Sequence, residues 1–140
     1  MPTKKPKIRP LKASEVTFEV IVEPEEDQVS GHFATGDDDR DREIEQEIID
    51  AFNRGDLEAW CCITVKATWE GITGADHLGC CSHLRSDDSP SLAKQVEDTV
   101  KAHGMREEAL DRLNEEVQRQ AERGLEWVRR LSIRKTAVKR

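Results

Sequence analysis

From Leu57 to Trp69 every second residue is apolar. Leu57, Ala59, Cys61, Ile63, Val65, Ala67 and Trp69 share one parity, and Glu58, Trp60, Cys62, Thr64, Lys66 and Thr68 share the other. Side chains alternate across a strand, so this stretch predicts a strand with one face on a core and one toward water. Thirteen residues exceed the usual strand length, which implies a bulge or a strong twist. A half-buried strand needs antiparallel neighbours on its edges and a helix layer on its apolar face.

The neighbours are partly visible. Val16, Phe18, Val20 and Val22 alternate with Thr17, Glu19 and Glu23, a second half-buried strand that Pro24 and the acidic run behind it terminate. Gln28 to Phe33 reads as a shorter strand pairing back on it, with Gly31 marking a bulge. An acidic helix follows to about Arg54: Ile44, Ile48, Ala51 and Phe52 form its apolar stripe, and Ile49 lies at the edge. Asp37 or Thr35 caps its start, and Gly55 follows its end. Asp41, Glu43, Glu45, Glu47 and Asp50 fall on its outer face. Gly71 to Gly79 reads as a glycine-rich loop, and Cys80 to Leu84 is a strand or an extended segment. After a polar linker, Arg85 to Ser89, the pair Ser89-Pro90 opens a helix carrying Leu92, Val96 and Val100, closed by Gly104. A last helix starts near Met105, its stripe running through Leu110, Leu113, Val117, Ala121, Val128 and Leu131, with Gly124 interrupting it. The fold class is therefore α+β: a small, mostly antiparallel sheet with helices packed on one face and a long C-terminal helix.

Charge sets the domain limits. Residues 1–12 carry five basic side chains and no acid, residues 129–140 carry six and no acid, and the stretch between holds eleven basic and all 29 acidic groups, a net of −18. Leu, Ile, Val and Phe make up 21% of the 140 residues. That is close to the level, about 20%, below which a highly charged chain does not fold. The expected organisation is a disordered basic tail over 1–14, one domain over 15–133 and a loose basic tail over 134–140. No apolar run approaches the ~20 residues of a membrane span, and no apolar segment follows the basic N-terminus as a secretory signal requires. A cytoplasmic protein with free thiols is expected.

The acidic body repels phosphate, so specific nucleic-acid binding is not expected, and the basic tails offer only nonspecific contact. An array of carboxylates on a helix suits a protein partner with a basic surface, one that ordinarily holds nucleic acid. Asp37, Asp38, Asp41 and Glu45 are the candidate contact residues, and Trp60, on the otherwise polar strand face, is the candidate anchor. The opposing reading is a small metal-binding or thiol-based protein. His77, Cys80, Cys81 and His83 are zinc-type ligands at close spacing, although neither adjacent cysteine pair forms a C-x-x-C knuckle. No cofactor and no catalytic activity are expected: Asp76, Asp87 and Asp88 disfavour a reactive thiolate nearby, and the glycine-rich segment lacks the order and lysine of a phosphate loop.

Several blocks between Val29 and Ser82 carry a resemblance. Ser30-Gly31, Ala34-Thr-Gly-Asp37, Asn53-Arg-Gly-Asp56, Ala59-Trp-Cys61, Val65-Lys-Ala-Thr-Trp-Glu-Gly71 and Leu78-Gly-Cys-Cys-Ser82 together resemble a family of small uncharacterised proteins encoded by bacteriophages, prophages and conjugative elements. The resemblance implies a bacterial setting and an accessory role. The sharpest version is a factor that binds a host defence or nucleic-acid-processing protein and inhibits it.

Overall fold

A computed structural model describes residues 6–86 and 90–138, with side chains to 131. The elements are β1 (Thr17–Pro24), α1 (Asp38–Asn53), β2 (Cys61–Trp69), β3 (Ile72–Cys81), α2 (Leu92–Ala102) and α3 (Met105–Val138). The three strands form one antiparallel sheet in the order β1-β2-β3, so the alternating stretch lies at its centre. The class is α+β, as its alternation required.

The alternation of β2 is carried through to burial. Cys61, Ile63, Val65 and Ala67 are fully buried, whereas Cys62, Thr64, Lys66 and Thr68 are half-exposed. Val16, Phe18, Val20 and Val22 add the β1 side of the same core. Over it lies the first half of α3, contributing Met105, Ala109, Leu113 and Val117, with Val96 and Val100 of α2 alongside. A second, smaller cluster sits where β2 begins and β3 ends. There Val29, Ile48 and Trp60 are buried among Phe33, Ile44, Phe52, Cys80 and Leu84.

Three local expectations are corrected. The glycine-rich segment 71–79 is strand, not loop. Glu70 and Gly71 both have positive φ (48° and 78°) and form the two-residue turn between Trp69 and Ile72. Such a turn matches the twist of the strands it joins. Gly74 belongs in the strand because α3 needs it bare: a Cβ there would stand 2.2 Å from the Leu113 backbone nitrogen. Residues 28–33 form no strand. Gly31 has φ +91° and the His32 amide donates to the Val29 carbonyl at 3.4 Å, so the segment turns and buries Val29 against Trp60. Leu57–Ala59 is a 3-10 turn, and β2 starts only at Cys61. The irregularity expected in this region is a register shift between Cys61 and Ile63, opposite Gly79 and Cys80.

The chain ends also depart from the expectation. Residues 6–12 lie along α3 instead of hanging free. Asn114 accepts from the Leu11 amide (2.8 Å) and donates to its carbonyl, while Gln118 does the same for the Ile8 amide and the Pro6 carbonyl. Leu11 is thereby buried. Two carboxamides one helical turn apart thus replace the water that an extended tail would otherwise bind. At the other end α3 stays helical through Gly124 and on to Val138, past the point where a loose tail was expected. The cap of α2 is Ser91, whose hydroxyl accepts from the Lys94 amide. Ser89 lies outside the described residues, as do residues 1–5, 87–88 and 139–140.

The contact at Gly74 generates a prediction. Gly74→Ala forces α3 off the sheet and is expected to cost about 2–3 kcal/mol, the upper range for overpacking. Ala75, one residue on and half-buried, tolerates Gly or Ser at about 1 kcal/mol. Urea denaturation of the two variants against the parent measures the difference.

Candidate functional site

Behind β1 the chain makes a tight acidic turn. The Glu25 carboxylate accepts from the Asp27 amide (3.2 Å) and from the Cys80 amide (2.8 Å), which ties this turn to the end of β3. Those two hydrogen bonds, the Cys80 one foremost, hold the Glu25 carboxyl below the usual carboxylate range. Trp60 locks the turn from beneath: its indole N–H donates to the Asp27 carbonyl at 2.7 Å. The His32 ring then stands tilted against Trp60, with centroids 5.3 Å apart.

These constraints bring three side chains together. His32 Nε2 stands 3.4 Å from Asp27 Oδ2, and Cys80 Sγ stands 4.0 Å from each of these two atoms. Asp27 and His32 are exposed, and Cys80 is half-buried. Cys80 takes φ +57°, a left-handed conformation uncommon for a residue with a side chain. Burial, followed by the nearby Glu25 and Asp27 carboxylates, pushes its thiol pKa up.

The residues singled out by sequence fall elsewhere. Trp60 is 3% exposed and is a packing and hydrogen-bonding centre, so it cannot anchor a partner. Asp41 is also buried. It accepts from the Thr35 amide and hydroxyl (3.1 and 2.7 Å), closing the loop before α1. Asp37 caps α1 through the Asp39 and Arg40 amides, and half-buried Glu45 accepts from the Gly31 amide. Of the named acids Asp37 and Asp38 are exposed, but Asp37 is engaged as the cap, which leaves Asp38 beside Asp39, Glu43, Glu47 and Asp50 of the same helix.

Nor does the proposed ligand set assemble. His77 lies on the polar face of the sheet, 2.9 Å from its cross-strand partner Thr64. Cys81 is in the core with its thiol toward the Leu78 carbonyl. His83 is buried, its Nε2 2.9 Å from the Thr99 hydroxyl and its Nδ1 3.9 Å from Cys61 Sγ. Adjacent strand residues face opposite ways, which separates Cys80 from Cys81. Burial pushes the Cys61 thiol up to about 12, consistent with a packed, inert side chain. Asp27 and His32 carry no sequence signal of their own. They are 53 and 48 residues from Cys80, and only the turn and the β3 irregularity join them.

A second surface lies far from this cluster. Among the described side chains of α3 Val117 is the last buried one; beyond it Leu125, Trp127, Val128 and Leu131 are 37%, 60%, 57% and 46% exposed. Gly124, Val128 and Leu131 continue the face that Leu113 and Val117 turn to the core. Arg119, Glu122, Arg123, Glu126 and Arg130 form with Trp127 a shallow depression on its flank.

No family model, no curated protein and no solved structure matches the chain. No described helix is long and apolar enough to cross a membrane.

The buried imidazole sets a pH dependence. Burial holds the His83 pKa below its ordinary 6.5, against a weaker opposing effect of Glu58. The unfolded chain therefore takes up a proton first as pH falls through 6.5, and folded-state stability drops until the folded pKa is passed. Thermal melts between about pH 7 and about pH 5 should show a falling Tm. His83→Gln, less stable throughout, should lose most of that slope; an unchanged slope would assign the dependence to other groups.

Proposed function

We propose that this chain is a non-catalytic protein-binding factor whose contact element is the distal half of α3. The reading is supported by one observation above all: the core-facing stripe of α3 runs off the end of the sheet with its apolar residues still in register. The mismatch is geometric. A 34-residue helix is about 50 Å long, while the nine-residue central strand spans about 30 Å. An exposed tryptophan on the flank of such a stripe is the residue type that dominates binding energy at protein interfaces.

Charge defines the partner. Past Glu126 the sequence holds Arg129, Arg130, Arg134, Lys135, Lys139 and Arg140 and no acid. A groove with an apolar floor and an acidic rim is the complement, entered in the helix-in-groove mode. Nucleic acid fits poorly, because the body of the protein carries a net −18. An anionic lipid surface fits poorly for a local reason: Glu122 and Glu126 stand beside Trp127. The carboxylate face of α1 against a basic surface is the weaker contact, since Asp37, Asp41 and Glu45 are committed to the chain's own amides. An accessory role in a phage or mobile element, directed at a host defence or nucleic-acid-processing protein, rests on the resemblance of the 29–82 blocks alone.

The test compares variants in one bacterial lysate. Trp127→Glu with Leu131→Glu removes the stripe, and Asp38→Asn, Asp39→Asn with Glu43→Gln neutralises α1. The expected result is a stoichiometric protein partner whose affinity falls by about 30-fold or more with the α3 variant. The α1 variant should retain it, and the free chain should sediment as a monomer. Retention by the α3 variant with loss by the α1 variant would return the contact to the acidic helix. A dimer that the α3 variant dissociates would assign the stripe to a second copy of the chain.

A further inference from the structure

We propose that Asp27, His32 and Cys80 form a three-ligand site for a borderline-soft divalent cation, zinc by its donor set, with the fourth position open to solvent. The proposal is independent of the docking role of α3. Thiolate, imidazole and carboxylate together favour zinc over calcium or magnesium, which take oxygen ligands.

Geometry supports the assignment. Zinc binds sulfur at about 2.3 Å and nitrogen or oxygen at about 2.0–2.1 Å. A tetrahedral site then has edges of about 3.3 Å between nitrogen and oxygen and about 3.6 Å to sulfur. The observed edges are 3.4, 4.0 and 4.0 Å, so the triangle needs to contract by only a few tenths of an ångström at the sulfur.

Each ligand is also oriented from outside. The Gln28 amide donates to Asp27 Oδ1 at 3.0 Å and leaves Oδ2 turned to His32 and Cys80. Trp60 stands in tilted ring contact with His32 and holds the Asp27 carbonyl by its indole N–H. Glu25 holds the backbone amides of Asp27 and Cys80 at once, fixing the two ligand-bearing segments to each other. Such outer contacts are what position the ligands of metal sites. The side chains of His32 and Asp27 remain 34% and 59% exposed, so an ion can reach the site and a water or a partner's donor atom can complete it. Bound metal displaces the thiol proton of Cys80 to solvent and clamps the 25–33 segment to β3.

The test uses the full chain, stripped with a chelator and titrated with cobalt(II), then zinc. The expected result is one cobalt per chain, with tetrahedral ligand-field bands and a thiolate-to-cobalt charge-transfer band, both displaced by zinc. Zinc should also raise the Tm. Cys80→Ser should abolish the charge-transfer band, and His32→Ala, at an exposed position, should weaken binding by more than the 10–100-fold typical of outer-contact changes. His77→Ala should bind as the parent does. No charge-transfer band with cobalt in excess, a band that survives Cys80→Ser, or a band lost with His77→Ala would each overturn the assignment.

Discussion

The backbone of α3 rests directly on β3 at Gly74, and most of the architecture follows from that approach. Only a residue without Cβ lets Leu113 come so close, and Leu113 is among the largest side chains fully buried in the core. The contact fixes where along its length α3 meets the sheet. Met105, Ala109, Leu113 and Val117 then cover the apolar face of β2, and the same side of the helix carries Asn114 and Gln118 to the N-terminal segment. The sheet is short and the helix long, so among the described residues Leu125, Trp127, Val128 and Leu131 of α3 are left exposed. An exposed stripe that continues a buried one is the consequence of this placement.

Two small cores rather than one reconcile the chain with its high charge. Apolar content is too low to bury the whole length, and the polar residues supply what hydrophobic area does not. Asp41, Glu25 and Glu45 satisfy backbone amides in the segments on either side of α1, and Trp60 joins those segments to the start of β2. Acidic side chains that look like a solvated surface in one dimension are here partly loop braces. What remains outward on α1 is a narrower carboxylate face than the sequence displays. Positive charge concentrates instead at the end of α3, where the apolar stripe is exposed.

Legibility tracked the range of the interaction that decides each feature. The β2 alternation, the α1 stripe, the Gly104 stop and the long last helix depend on local periodicity and were readable. Residues 71–79 were not, because three glycines signal a loop unless a helix is known to need the space over Gly74. Trp60 shares the parity of polar residues, but it precedes the start of β2 and turns inward beneath the Asp27 turn, which strand alternation cannot show. The sequence singled out Cys80 but not the approach of Asp27 and His32 to it, since that approach depends on a register shift opposite Cys62. His77, Cys81 and His83 share one parity, yet the register shift opposite Cys62 leaves His77 on the polar face and turns Cys81 into the core, with His83 buried beyond the end of β3.

In this architecture α3 is one helix with two environments. Native-state hydrogen exchange on the isolated chain tests this most directly, because protection reports local cover as well as helicity. Amides from Met105 to Val117 should exchange only by global unfolding, together with those of β2, whereas amides from Leu125 to Leu131 should exchange faster by orders of magnitude. Uniform protection along both halves of α3 would contradict the account, since it would mean that the distal stripe is already covered.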